Sequence, residues 1–159
     1  FGSDSGHEML RNALDDDLWD VIMIGFNILN PSARPLLQKA QSKNVGVLDM
    51  FAVRRAFRTL PEIEKYIASL VEAGTVDGEL YEKLAPFKRS ITSGECRTTS
   101  EMAYRFCLHE PGMGVVLTGT GSVDHLRENR RTADLPSLSD DTLAALSDLF
   151  GSIDTVSGN

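Results

Sequence analysis

Three apolar runs of strand length, each followed by a stretch of helical character, constrain this chain more than any other feature. Val21-Ile22-Met23-Ile24-Gly25-Phe26 is the first, Val45-Gly46-Val47-Leu48-Asp49-Met50-Phe51 the second and Val115-Val116-Leu117 the third. Runs of this kind, without apolar-polar alternation, predict strands buried on both faces, as in a parallel α/β sheet.

The segments between them carry helix signals. A short helix is expected from His7 to Leu14, ahead of the acidic turn Asp15-Asp16-Asp17. Asn30-Pro31-Ser32 turns into a helix with Leu36, Leu37 and Ala40 on one side, ending at Lys43-Asn44. Thr59-Leu60-Pro61-Glu62 and Thr98-Thr99-Ser100-Glu101 have capping-box spacing, in which the two side chains satisfy exposed backbone donors at a helix start. Behind the first, Ile63, Tyr66, Ile67, Leu70 and Val71 recur at helical spacing until Gly74. Behind the second come Met102, Ala103, Phe106 and Cys107, closed by Pro111-Gly112. Between them the pattern weakens, and Thr75 to Cys96 reads as a long loop or insertion with one short helix near Leu80–Leu84. A helix from Val123 to Thr132, with Leu126 inward, and a last one capped within Ser137-Leu138-Ser139-Asp140 complete the chain.

Strand-helix units in strict succession imply parallel strands joined by right-handed crossovers. A closed (β/α)8 barrel needs about 250 residues; this chain has 159 and three such units, so it is expected to be part of one.

A formal net charge of −7 argues against nucleic-acid or anionic-membrane partners, which need a basic surface. No run approaches the roughly 20 apolar residues of a membrane span, and no signal-peptide pattern opens the chain. Pro31 spoils Asn30-Pro31-Ser32 as a glycosylation acceptor. Cys96 and Cys107 suit a reducing compartment better than a disulfide framework, although their spacing leaves a bridge open. A cytoplasmic protein is the expectation. The chain opens at Phe1 rather than at a methionine, as the middle of a longer polypeptide would.

Chemistry concentrates after the third strand. Thr118-Gly119-Thr120-Gly121-Ser122 runs from strand to helix; its glycines permit close backbone approach, and the free N–H groups of the first helical turn suit a phosphate. Late strands of barrels carry such a grip at the carboxyl rim. The turn fits neither G-x-x-x-x-G-K-[ST] nor G-x-G-x-x-G, and an ordinary tight βα turn would look the same. The histidines His7, His109 and His125 lack metal-ligand spacing, and neither HExxH nor CxxC occurs, so no metal is expected.

With its flanks, Val115 to Asn129 resembles the last strand and cofactor loop of the aldo-keto reductases, whose helix closes its second turn in Glu-Asn. Asp20 to Asn30 resembles the family's sixth strand, "DVVQVEYNLLN", and Val45 to Val53 its seventh, "GIGVIAYSPL". The resemblance implies one partial-barrel unit over 1–159, strands six to eight with their helices, with 54–97 insertion-like. It implies an NAD(P)-dependent oxidoreductase acting on a small carbonyl or sugar. Glu128 and Asn129 match the positions that bind the adenine amino edge. Gly119, Thr120, Gly121 and Ser122 match the loop over the adenosine phosphate and ribose. Met50 stands where an aromatic residue stacks on the nicotinamide, Phe51 and Val53 near the pyrophosphate, and Met23 where a Gln bonds the carboxamide.

The departures bear on specificity. Met23 and Met50 lack the hydrogen bond and the flat ring of the residues they replace, though thioethers still pack on rings. Ala52 replaces the usual Pro. Gly119 and His125 stand where NADP-preferring members carry Lys and Arg, so the resemblance favours NAD(H). Arg127, Arg130 and Arg131 read as a solvated helix face. The family's catalytic Tyr, Lys, Asp and His come from its first four strands, and Tyr66, Tyr81 and Tyr104 match none of them. No catalytic residue is therefore expected here, and the missing N-terminal half of the barrel is the expected partner. A non-catalytic half-barrel that self-associates through its open edges is the alternative.

Overall fold

The computed structural model describes residues 4–153, so Phe1 to Ser3 and the last six residues lie outside the described residues. Helix α1 spans Asp4–Asp15, β1 Val21–Gly25, α2 Arg34–Ser42 and β2 Gly46–Met50. A 3-10 turn at Arg55–Phe57 leads into α3, Leu60–Glu72, and α4, Leu80–Thr92. Then come α5, Thr99–Leu108, β3, Val115–Val116, α6, Val123–Thr132, and α7, Asp140–Phe150. The three strands form one parallel sheet in the order β1-β2-β3, with Met23 beside Leu48 and Leu48 beside Val115. The described helices include none long and apolar enough to cross a membrane.

Both capping boxes form. Thr59 accepts the Glu62 N–H and Thr98 accepts the Glu101 N–H, giving α3 and α5 fixed starts. Pro111-Gly112 stops α5 for a steric reason. Gly112 has a φ of +86°, and a Cβ there would meet the Leu37 carbonyl oxygen at 2.5 Å. Only glycine lets the chain turn this close to α2 before β3 begins.

Burial in the sheet departs from the sequence reading. Strand β1 alternates, with Ile22 and Ile24 in the core while Val21 and Met23 are about half exposed. The same side of the sheet exposes Val115 and Leu117 at 49% and 41%. An unalternating apolar run shows that both faces are fit for burial; it does not show that this chain supplies both covers.

Two further expectations are corrected. The segment read as a long loop holds α4, a 13-residue helix. Phe87 from α4, Phe57 from the 3-10 turn and Phe150 from α7 meet edge to face, with ring centroids 5.9 to 6.2 Å apart. Such offset contacts between buried rings stabilise beyond their area alone. α4 has weak caps, with no side-chain hydrogen bond at its N-cap Glu79, so its start was not visible in sequence. Leu126 in α6 is not inward but 53% exposed, because α6 packs against α5 beside the last strand of the sheet and buries only Thr132.

Candidate functional site

Because all three strands are parallel, the turns after β2 and β3 emerge at one end of the sheet. A cleft of about 810 Å³ lies there. Phe51, Ala52 and Val53 line it from the β2 turn, Leu117, Gly119, Thr120 and Gly121 from the β3 turn, and His125, Glu128 and Asn129 from α6. Arg58, Thr98, Ser100 and Tyr104 close the opposite side.

The glycine turn is held by its own side chains. The Ser122 N–H donates to Thr120 Oγ1 at 3.1 Å, and Ser122 Oγ caps α6 by accepting the His125 N–H at 3.3 Å. The first helical amides have no intrahelical acceptor and sit at the positive end of the α6 dipole. A Cβ on Gly119 or Gly121 would find nothing within 4 Å, so the fold leaves the space beside the turn open.

The β2 side holds an unusual backbone. Phe51 has a φ of +70°, in the left-handed region that a bulky side chain avoids. Holding it there costs of order 1–3 kcal/mol, a strain that clusters at functional sites. It also breaks the strand alternation, so the ring is half exposed at the cleft while the guanidinium of buried Arg54 lies 4.8 Å from its centroid.

Charges on the α6 side are mostly spent. Arg127 pairs with Asp124 at 3.0 Å and Arg130 pairs with Asp134, both within the exposed helix face expected from sequence. Glu128 adds negative charge to the cleft lining, and Arg58 adds a cation.

Eight of the eleven residues singled out as cofactor-binding therefore share this cleft: Phe51, Val53, Gly119, Thr120, Gly121, His125, Glu128 and Asn129. Ser122 acts as the helix cap behind it. Met23 and Met50 are outside its lining; Met23 lies on the open sheet face, two strands away from the glycine turn. Sequence reasoning missed Arg58, Thr98, Ser100 and Tyr104. The second capping box contained Thr98 and Ser100 but signalled only a helix start, and nothing local marked Arg58. Tyr104 lies on α5 as expected, yet its hydroxyl meets Thr118 Oγ1 at 2.8 Å.

Cys96 and Cys107 are both buried and free, so no disulfide joins them. Burial pushes the Cys107 thiol well above its usual range and Cys96 up to about 11, which keeps both as inert neutral thiols.

Two solved structures of the aldo-keto reductase AKR11C1 from Bacillus halodurans, a holo and an apo form, match this chain. Each is 19% identical with a TM-score of 0.65, and the match covers 94% of this chain. It covers 49% of the holo chain and 50% of the apo chain, so the present chain spans about half the length of the structures it matches. At this identity the likeness is one of fold: the chain is built like part of an aldo-keto reductase barrel. No family model and no curated protein matches the sequence.

Proposed function

We propose that this chain is the cofactor-gripping half of an NAD(P)-dependent oxidoreductase, corresponding to roughly strands six to eight of an aldo-keto reductase barrel. The observation that carries the reading is the cleft at the carboxyl ends of the strands. It is lined by an aromatic ring after β2, a glycine turn after β3 and polar side chains on α6. A dinucleotide supplies phosphate oxygens for the turn and an adenine edge for the polar side chains.

In this reading the α6 amino end and the Gly119–Gly121 backbone take phosphate oxygens, and Glu128 and Asn129 take the adenine edge. Phe51 and Val53 face the pyrophosphate and what lies beyond it. When bound, the nicotinamide exchanges a hydride with the carbonyl or alcohol carbon of a small carbonyl or sugar substrate. NAD(H) is favoured over NADP(H), since a 2′-phosphate near α6 would meet Glu128 while Arg127 and Arg130 are already paired with Asp124 and Asp134. Titration of the chain with NADH and NADPH tests this. NADH is expected to bind more tightly; tighter NADPH binding reverses the preference, and binding of neither sinks the assignment.

In this reading the proton-delivering Tyr and its helpers come from the other half of the barrel, so turnover is expected only with that half present. The open sheet face of Val21, Met23, Val115 and Leu117 supports such a partner, because parallel sheets are ordinarily covered on both sides. That exposed face also favours a second reading, a non-catalytic half-barrel that pairs with its own copy. Light scattering after size-exclusion chromatography decides between them. A monodisperse monomer at high concentration rules out self-association.

A further inference from the structure

We infer that the outer side of α1, together with Trp19, is a docking surface for an amphipathic helix whose apolar stripe is flanked by Lys or Arg. Dinucleotide binding at the cleft plays no part in it.

Helix α1 buries His7, Leu10 and Leu14. On one flank it meets α2, where Lys39 pairs with Asp15 at 2.7 Å and donates to the Arg11 carbonyl at 3.3 Å. Met9 and Ala13 each stand two residues before Arg11 and Asp15, about 200° round the helix, and so lie on the opposite flank. With Asn12 and Asp16 they have the spacing i, i+3, i+4 and i+7 of one helix face. The Asp16 N–H donates to the Asn12 carbonyl at 3.0 Å, which carries the last turn on to Asp16. Asp17, with a φ of +53°, ends it, and Trp19 shares a recess of about 450 Å³ with this face and Glu8. Trp19 is 57% exposed, and Met9 and Leu18 are exposed too. Large apolar side chains grouped at a surface mark an interaction site. The helical spacing suits a second helix laid alongside, with Ala13 allowing close approach and Trp19 as its anchor.

Charge decides the kind of helix. On the α2 side the acids are matched, Asp15 by Lys39 and Asp17 by Lys43 at 2.6 Å. Glu8 and Asp16 line the recess and Asp20 follows Trp19; all are exposed, and none has an ion-pair partner among the described residues. Asp16 stands at the carboxyl end of α1, where an acid opposes the helix dipole, so helix stability does not account for it. A second copy of this chain would bring the same carboxylates to the same surface and be repelled. A helix with Lys or Arg beside its apolar stripe fills the recess and matches the carboxylates.

Trp19 is the single tryptophan of the sequence, so its fluorescence reports on the recess. The probes are two synthetic helices of about 15 residues, a length at which helix forms readily on docking. Both carry the same leucine stripe; one is flanked by lysines and the other by glutamates. The lysine peptide is expected to shift Trp19 emission to the blue and to bind about tenfold more tightly, the sum of several weak exposed ion pairs. Raising the salt should narrow that ratio. In the double variant Glu8→Lys, Asp16→Lys, changed only at exposed positions, the glutamate peptide should bind the tighter. Circular dichroism checks that the variant keeps its helices; if it does not, the parent's ratio and its salt dependence decide. Equal affinities in the parent, or a lysine preference that survives the reversal in a folded variant, overturn the charge match. A Trp19 signal that neither peptide moves overturns the docking surface. A blue shift on concentrating the chain alone gives the recess to a second copy and overturns the basic partner.

Discussion

Asp49 Oδ1 accepts the backbone N–H of Phe26 at 2.8 Å, and the main-chain carbonyl of Asp49 accepts the N–H of Leu117 at 2.9 Å. One residue of the central strand thus ties the carboxyl ends of all three strands together beneath the cleft. Its other carboxyl oxygen is buried without a partner among the described residues, and the Cys107 thiol lies close by, donating to the Phe26 carbonyl at 3.5 Å. Burial pushes the Asp49 carboxyl up to about 7, against the opposing pull of the Phe26 N–H.

Stability is expected to fall with pH through this one group. In the unfolded chain Asp49 ionises near 3.8, whereas in the fold it keeps its proton to about 7. The favourable contribution is complete below about pH 4 and is lost as pH rises to about 7, a change of order 4 kcal/mol at most. Asp49→Asn keeps an acceptor for Phe26 and removes the titration. Urea denaturation at pH 4.5 and pH 8 should show the variant gaining on the parent by roughly 3 kcal/mol across that range. Parallel stability curves for the two proteins would exclude a buried, protonated Asp49.

Arg105 should be the least replaceable charged residue of the described fold. Its guanidinium is buried and donates to the carbonyls of Glu95, Pro136 and Ser137 at 2.7, 3.0 and 3.1 Å, with Glu101 3.5 Å away. It joins the α4–α5 connection to the α6–α7 connection, while the Glu95 carboxylate accepts the Ser139 N–H at 2.6 Å at the start of α7. Arg105→Met leaves several buried acceptors and Glu101 without their partner and is expected to cost about 3–5 kcal/mol in denaturant unfolding. Arg105→Lys should not rescue it, because a single ammonium cannot reach all the carbonyl acceptors that the planar guanidinium fork serves.

Phe87→Ala tests whether α4 belongs to the core. Phe87 is fully buried and meets both Phe57 and Phe150. Removing the ring should destabilise the whole chain by about 3–5 kcal/mol, shifting a single cooperative transition. If 80–92 were a detachable insertion, the main transition would stay put and only local helix would be lost.

Gly121→Val separates the needs of the ligand from those of the fold. Nothing lies within 4 Å of the added Cβ, so the change in stability should stay within about 0.5 kcal/mol. In the cleft the same methyls would stand where phosphate oxygens approach the backbone, so NADH affinity should drop by about tenfold or more. Equal NADH binding by Gly121→Val and the parent would mean that the turn is only a turn.

What the sequence determined by itself was the order of the frame and the place of its open turn. The apolar runs at 21–26, 45–51 and 115–117 predicted three parallel strands, which Val21–Gly25, Gly46–Met50 and Val115–Val116 supply. The capping boxes at Thr59 and Thr98 fixed two helix starts, because a cap is a contact between residues three apart and is written locally. Tertiary structure alone decided the rest. Exposure of Val21 and Met23, burial of α4, the ring of Phe51 turned out by a left-handed backbone, and the Tyr104-Thr118 contact each depend on residues far apart in sequence. A strand's pattern records which side chains tolerate burial, and a tyrosine on a helix records only its helix. Which partner each one meets is set by the crossovers that bring the ends of β2, β3 and α5 to one cleft.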